Sequence, residues 1–232
     1  MSEQPQNQSG NVIFFILLGI VLLGLVTAAL RSGGLETSNI DRETRSIGIS
    51  KLKDQANSFE RAVAFIMQNS ASETDIRFSH ADAPSEYGNN PGTSAPFQVF
   101  SRAGGGAAYV TPPTGLQTTA GPWEFYGHTA LPQVGSSAPE LVAVLPNLTE
   151  EACTAINTQA GYTATPQDDG GSAATSGCIY SGAALRFSSS VQYSGAPNST
   201  VEATFSIKPA TQGCIECSVD GSYHYFRVLL AR

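Results

Sequence analysis

Val12-Ile13-Phe14-Phe15-Ile16-Leu17-Leu18-Gly19-Ile20-Val21-Leu22-Leu23-Gly24-Leu25-Val26-Thr27-Ala28-Ala29-Leu30 carries no charge and follows directly on a Ser9-Gly10 step. A helix rises ~1.5 Å per residue and needs about 20 apolar residues to cross a hydrocarbon core of ~30 Å, so this run is long enough to span one. A cleaved secretory signal has a basic start and an apolar core of roughly 7–15 residues. Here the leading MSEQPQNQSG has no Lys or Arg, the run is longer, and Thr27-Ala28-Ala29 is only weakly cleavage-like. The stretch therefore reads as an anchor, and Gly19, Gly24, Ala28 and Ala29 offer a small-residue face for helix packing in lipid.

Beyond the anchor, Arg31-Ser32-Gly33-Gly34 reads as a joint, and helical periodicity then returns. Leu52, Ala56, Phe59, Val63 and Ile66-Met67 form one apolar stripe at 3.6-residue spacing. This predicts an amphipathic helix over 35–70, capped by Ser38 or Asn39 and ending near Asn69-Ser70. Between Leu35 and Gly48 the stripe is poor, which suits a neighbouring chain or solvent. From 71 to 232 the pattern is that of a β-rich head. Strands are expected at Pro96–Phe100, Trp123–Leu131, Glu140–Leu145, Ala184–Tyr193, Val201–Lys208 and Tyr223–Leu230, between Gly/Pro/Ser turns. One short helix, capped by Asn147 or Thr149, is expected over Pro146–Asn157, and Gly161–Gly177 reads as an exposed loop. The fold class is α+β: a long N-terminal helix, its first half transmembrane and its second half amphipathic, packed on an antiparallel sheet.

Only 13% of the 232 residues are charged, and the net charge is −7. From Glu73 onward thirteen acids face six bases, so no basic stripe is present to neutralise phosphates and nucleic acid is not an expected partner. Cys153, Cys178, Cys214 and Cys217 all lie in the last third, an even count that points to two disulfides and an oxidising compartment. Three pairings are possible. Cys214-Ile215-Glu216-Cys217 also matches a redox or half-zinc C-x-x-C, but turn-like sequence flanks it and Cys153 and Cys178 form no second close pair. Arg31, Arg42 and Arg45 behind the anchor favour a cytoplasmic C-terminal side, whereas the cysteines favour the opposite side. Those basic residues are interspersed with Glu36, Asp41 and Glu43, so the cysteines weigh more.

No motif carries enzyme chemistry, and no cofactor, catalytic residue or metal ligand is expected. Ala103-Gly104-Gly105-Gly106-Ala107 lacks the Gly-Lys-Ser/Thr of a phosphate loop and reads as a tight turn. His80, His128 and His224 have no metal-binding or triad spacing, and no Gly-x-Ser-x-Gly occurs. Asp168-Asp169-Gly170-Gly171 lacks the further ligands of a calcium loop. Asn147-Leu148-Thr149 and Asn198-Ser199-Thr200 match glycosylation sequons of the kind that arise by chance. Trp123, Phe125 and Tyr126 read as core.

Three pieces carry a family resemblance: Ser9-Gly10-Asn11-Val12-Ile13-Phe14-Phe15, the stripe from Leu52 to Met67, and Glu140-Leu141-Val142-Ala143-Val144-Leu145-Pro146-Asn147-Leu148-Thr149-Glu150-Glu151-Ala152-Cys153. Together they make the chain resemble the type IV pilins and pseudopilins, the last piece being similar to the type IVb branch. The resemblance implies removal of a leader, residues 1–10, by a prepilin-type leader peptidase cutting between Gly10 and Asn11. It further implies an assembly helix over 11–31, a sheet crossed by the second half of the helix, and a C-terminal disulfide pinning the last loop. The implied function is that of a structural filament subunit held in the bacterial inner membrane before assembly, its head periplasmic or extracellular and its partners identical or related subunits. The chain departs from the family pattern in three ways: Asn11 replaces Phe or Met, Phe15 replaces Glu at the fifth mature position, and the leader has no basic residue. The alternative is a single-pass anchored periplasmic or surface binding domain that does not polymerise.

Overall fold

The computed structural model describes residues 10–31, 34–87, 92–170, 178–193 and 198–232; of 10, 11, 30, 31, 34–39 and 92–94 only the backbone is described. The leader up to Ser9 and the centre of the expected joint, Ser32-Gly33, lie outside the described residues. The chain forms two compact units, Met1–Thr44 and Arg45–Arg232.

The first unit contains helix α1 (Gly10–Arg31) and the start of helix α2 (Gly34–Gln68). In α1 every side chain from Val12 to Ala29 is exposed, and that segment is long and apolar enough to cross a membrane. The helical backbone of α2 begins at Gly34, ahead of the expected cap at Ser38 or Asn39. It ends at Gln68, where Ser70 takes a positive φ of 66°.

The second unit is built on a six-stranded sheet. Its strands are β1 (Glu124–Ala130), β2 (Glu140–Leu148), β3 (Gln167–Asp168), β4 (Asn198–Ser199), β5 (Gln212–Cys217) and β6 (Tyr223–Leu230). Their order is β3-β5-β6-β2-β1-β4. The four longer strands pair antiparallel, and the two-residue strands β3 and β4 pair parallel at the edges. Alternation along β2 sends Leu141, Ala143 and Leu145 into one core and Val142 and Val144 into another. The first core includes the α2 stripe Leu52, Ala56, Phe59, Val63 and Ile66, with Ile49 and Ala62 added. Within it Phe59 meets Trp123 edge-on at 5.3 Å and Phe125 at 5.6 Å between ring centroids. The indole Nε1 of Trp123 donates to Gln55 Oε1 (3.0 Å), so the largest core side chain leaves no polar atom wanting.

Helix α3 (Glu150–Ala160) starts later than expected, because β2 runs on through Pro146 and Asn147 to Leu148. Thr149 is its cap, accepting from Ala152 N–H (3.1 Å), and Gly161 closes it at φ 87°. Three expected strands are absent. Pro96–Phe100 falls on a 3₁₀ helix (Gly92–Phe97) followed by a single bridge between Gln98 and Arg77, since Pro96 has no N–H for a ladder. Ala184–Tyr193 and Val201–Lys208 give 3₁₀ turns at Ala183–Leu185 and Glu202–Thr204, and each sends one buried ring, Phe187 or Phe205, into a core. The C-x-x-C itself lies in strand β5, which also takes in Gln212 and Gly213 of the turn-like stretch expected before it, while the turn expected after it is present at 218–220. Gly161–Gly177 is not simply exposed: Tyr162, Pro166, Asp168 and Gly170 are buried, while 171–177 lie outside the described residues. The Ala103–Ala107 stretch is the expected tight turn, where a Cβ on Gly104 would strike the Gln98 carbonyl oxygen.

Candidate functional site

On α1, Gly19 and Gly24 line one groove of about 470 Å³ with Ile16, Ile20, Leu23 and Thr27. Beyond the helix's own backbone, nothing lies within 4 Å of where a Cβ would stand on either glycine. The Thr27 hydroxyl is satisfied inside the helix by the carbonyls of Leu23 and Gly24, both at 2.9 Å, as lipid requires. Ala28 and Ala29 are exposed on the same helix but do not line the groove. Gly10 and Asn11 form the first turn of α1.

In the second unit the cysteines pair as Cys153–Cys214 and Cys178–Cys217. The first bridge ties α3 to β5, and Asn157 reinforces it. Its amide accepts from Cys214 N–H and donates to Cys214 C=O, both at 2.8 Å, so a side chain replaces a strand partner. Tyr162 Oη covers Gln212 C=O (3.0 Å), and the Pro166 carbonyl takes Glu216 N–H (2.9 Å). The outer edge of β5 is therefore closed to strand addition. The second bridge sits against Asp168, whose carboxylate accepts from the N–H groups of Gly170 (3.0 Å) and Ile179 (2.7 Å) and from Asn198 Nδ2. These internal bonds occupy Asp168 of the Asp168-Asp169-Gly170-Gly171 run, which lacks the further ligands of a calcium loop. Among the described residues no group of three or more His, Cys, Asp or Glu side chains is placed to hold a metal. Asn198 is fully buried, which removes its sequon as a glycan acceptor.

The histidines gain partners that spacing did not predict. Asn147 N–H donates to His224 Nδ1 (3.3 Å), which puts the ring proton on Nε2, 2.7 Å from Ser222 Oγ. Ser222 in turn donates to Asp220 Oδ1 (2.5 Å). A nucleophilic serine must give its proton to the imidazole. In this arrangement the imidazole donates to the serine, so the trio braces the β5–β6 turn and does not activate an oxygen. Burial lowers the His224 pKa to about 4. His128 is wired similarly: Ser181 donates to Cys178 C=O (2.6 Å) and accepts from His128 Nε2 (2.8 Å).

Sequence reading missed two buried carboxylates. Glu124 begins β1 and is clamped by Arg186, with Nε–Oε2 at 2.5 Å and Nη2–Oε1 at 2.6 Å. Arg186 Nη1 also reaches Glu86 (2.6 Å). Burial pushes the Glu124 carboxyl up and the arginine bonds oppose it; the bidentate geometry is that of an ionised pair. Glu140, the first residue of β2, accepts from Leu131 N–H at Oε2 (2.8 Å), while its Oε1 has no partner among the described residues. Burial raises its pKa to about 7, against the backbone bond from Leu131 and the field of Arg232. The folded value exceeds the unfolded one, so the stability Glu140 contributes is complete below about pH 4.3 and is lost as the pH rises through about 7. Glu140→Gln should therefore stabilise the protein at pH 8, on the order of 1 kcal/mol after screening, and change little at pH 4. Chemical denaturation of both proteins at the two pH values checks this. His224 titrates with the opposite slope below pH 6.5 in both and cancels in the difference.

A groove of about 370 Å³ lies between Tyr109, Pro112, Pro113 and Pro122. Tyr109 stacks on His80 (4.7 Å), and its buried hydroxyl has no partner among the described residues. Burial raises that phenol to a pKa of about 12, so it stays protonated and able to donate.

The apolar helix reads as a membrane anchor or signal sequence, and the two disulfides point to an oxidising compartment outside the cytoplasm. Compared with known proteins, the chain matches no family model, no curated protein and no solved structure.

Proposed function

We propose that this chain is a structural subunit of a type IV pilus-like or pseudopilus filament, its leader removed by a leader peptidase at Gly10-Asn11 and its α1 holding it in the bacterial inner membrane until assembly. The observation that carries this reading is the glycine-notched groove on a helix exposed all round from Val12 to Ala29. In lipid, helices associate by close packing at such small residues, without a hydrophobic drive between them. The outer side of β5, covered by Asn157, Tyr162 and β3, gives no free strand for assembly on that side of the sheet. Identical or related subunits are the partners, and neither cofactor nor catalysis has a part in the proposal.

Filling the notch tests it. Gly19→Leu and Gly24→Leu should leave membrane insertion intact, because both raise the apolarity of α1. They should lower disulfide cross-linking between copies carrying Leu23→Cys by about ten-fold, the equivalent of ~1.4 kcal/mol of lost packing. Efficient cross-linking in both variants would remove the groove from the account.

The second reading, an anchored binding domain that does not polymerise, draws on the Tyr109 groove, where rigid apolar walls surround a hydroxyl without a partner. Monomeric cross-linking patterns combined with retention in the membrane after shear would favour it.

A further inference from the structure

Buried polar groups in folded proteins are almost always paired, so a group of unpaired ones calls for an explanation. Three gather at one corner of the sheet. Glu140 and Asn198 flank Thr129 in register on either side, and Thr200 follows two residues after Asn198. Glu140 Oε1, Asn198 Oδ1 and Thr200 Oγ1 are all buried without a hydrogen-bond partner among the described residues. Of the three, Thr200, only 8% exposed, lines a hollow of about 280 Å³ formed by the end of β1, the end of β4 and the chain after each, whereas Glu140 and Asn198 stand behind its lining. Its walls carry Gln133, Ser136 and Glu202, and Leu131 and Pro132 supply an apolar side.

We propose that this hollow binds a neutral sugar of single-ring size, held through its hydroxyl groups. Charge selects neutrality: among the described residues no lysine or arginine lines the hollow to hold an anion, and Glu202 already pairs with Lys208 (3.2 Å). The lining is rich in acceptors and amphoteric hydroxyls, which match a ligand carrying several O–H donors. The Leu131–Pro132 wall fits the C–H face of a pyranose ring. The volume lies at the small end of ligand cavities, suited to one ring and not to a chain of them. This site is independent of filament assembly.

The test is an NMR shift titration of the full chain in dodecylphosphocholine micelles, a detergent without sugar, using glucose, galactose, mannose and N-acetylglucosamine. At least one should shift the amides of Ser136, Ser199 and Thr200 saturably. Thr200→Val keeps the shape and removes a hydroxyl that has no partner among the described residues, so its melting curve should match or exceed that of the parent. Glu202→Gln changes only an exposed pair. Each should weaken sugar binding about ten-fold, the loss expected for one hydrogen bond to the ligand. Absence of shifts with all four sugars, or equal affinity in both folded variants, would overturn the proposal.

Discussion

Arg186→Met is expected to destabilise the second unit by about 3–5 kcal/mol, the cost of stranding a buried charge. Methionine keeps most of the aliphatic volume, so what is lost is the guanidinium that neutralises Glu124, a side chain 1% exposed at the head of β1. The Tyr87 hydroxyl, which accepts from Phe125 N–H at 2.7 Å, cannot replace a cation. In thermal melts of the full chain in micelles the loss should lower the midpoint by roughly 6–20 °C. The double variant Glu124→Leu/Arg186→Met should recover most of it, because a well-packed apolar pair often equals a buried ion pair. A small single-variant effect, or a double variant no better than the single, would mean that Glu124 is solvated.

The second large effect is expected from Cys153→Ala/Cys214→Ala. The bridge closes a separation of 61 residues. Restricting the unfolded chain over that span corresponds to about 4 kcal/mol in the chain-entropy account, within a measured range of about 2–5 kcal/mol for native disulfides. The loss should also loosen α3, leaving the Asn157 amide as a principal tie to β5. Hydrogen exchange should show Cys214 N–H protection falling further than that of Val144 in β2, with denaturation giving the total. Equal loss at both sites would instead indicate one cooperative unit unfolding as a whole.

These long-range ties explain why the sequence was legible in parts. α1, the α2 stripe, β1, β2 and β6 rest on local periodicity, and four cysteines behind an apolar run implied two disulfides. The pairing stayed open because nothing local distinguishes Cys214 from Cys217. β5 was hidden by its length of six residues and by Gly213, and much of its outer edge is satisfied by the side chains of Asn157 and Tyr162. The alternation in Ala203-Thr204-Phe205-Ser206-Ile207 misled for the opposite reason: Phe205 alone is buried there, and Ile207 is 39% exposed. Glu124 and Arg186, 62 residues apart, carry no joint signature in the chain. The Asp220, Ser222 and His224 trio is local, yet its direction of proton donation depends on Asn147, a residue 77 positions from His224. The acceptor-rich corner at Glu140, Asn198 and Thr200 arises only when β1 brings its two neighbours into register.

Processing at Gly10-Asn11 and the multiplicity of the product separate a filament subunit from a permanent anchor. The most direct measurement is the intact mass and N-terminal residue of the protein recovered from sheared native cells. The filament reading predicts a chain beginning at Asn11, present in many copies per sheared particle. A chain that still carries residues 1–10 and stays with the membrane after shear would contradict it and leave a permanent anchor with a disulfide-bonded head.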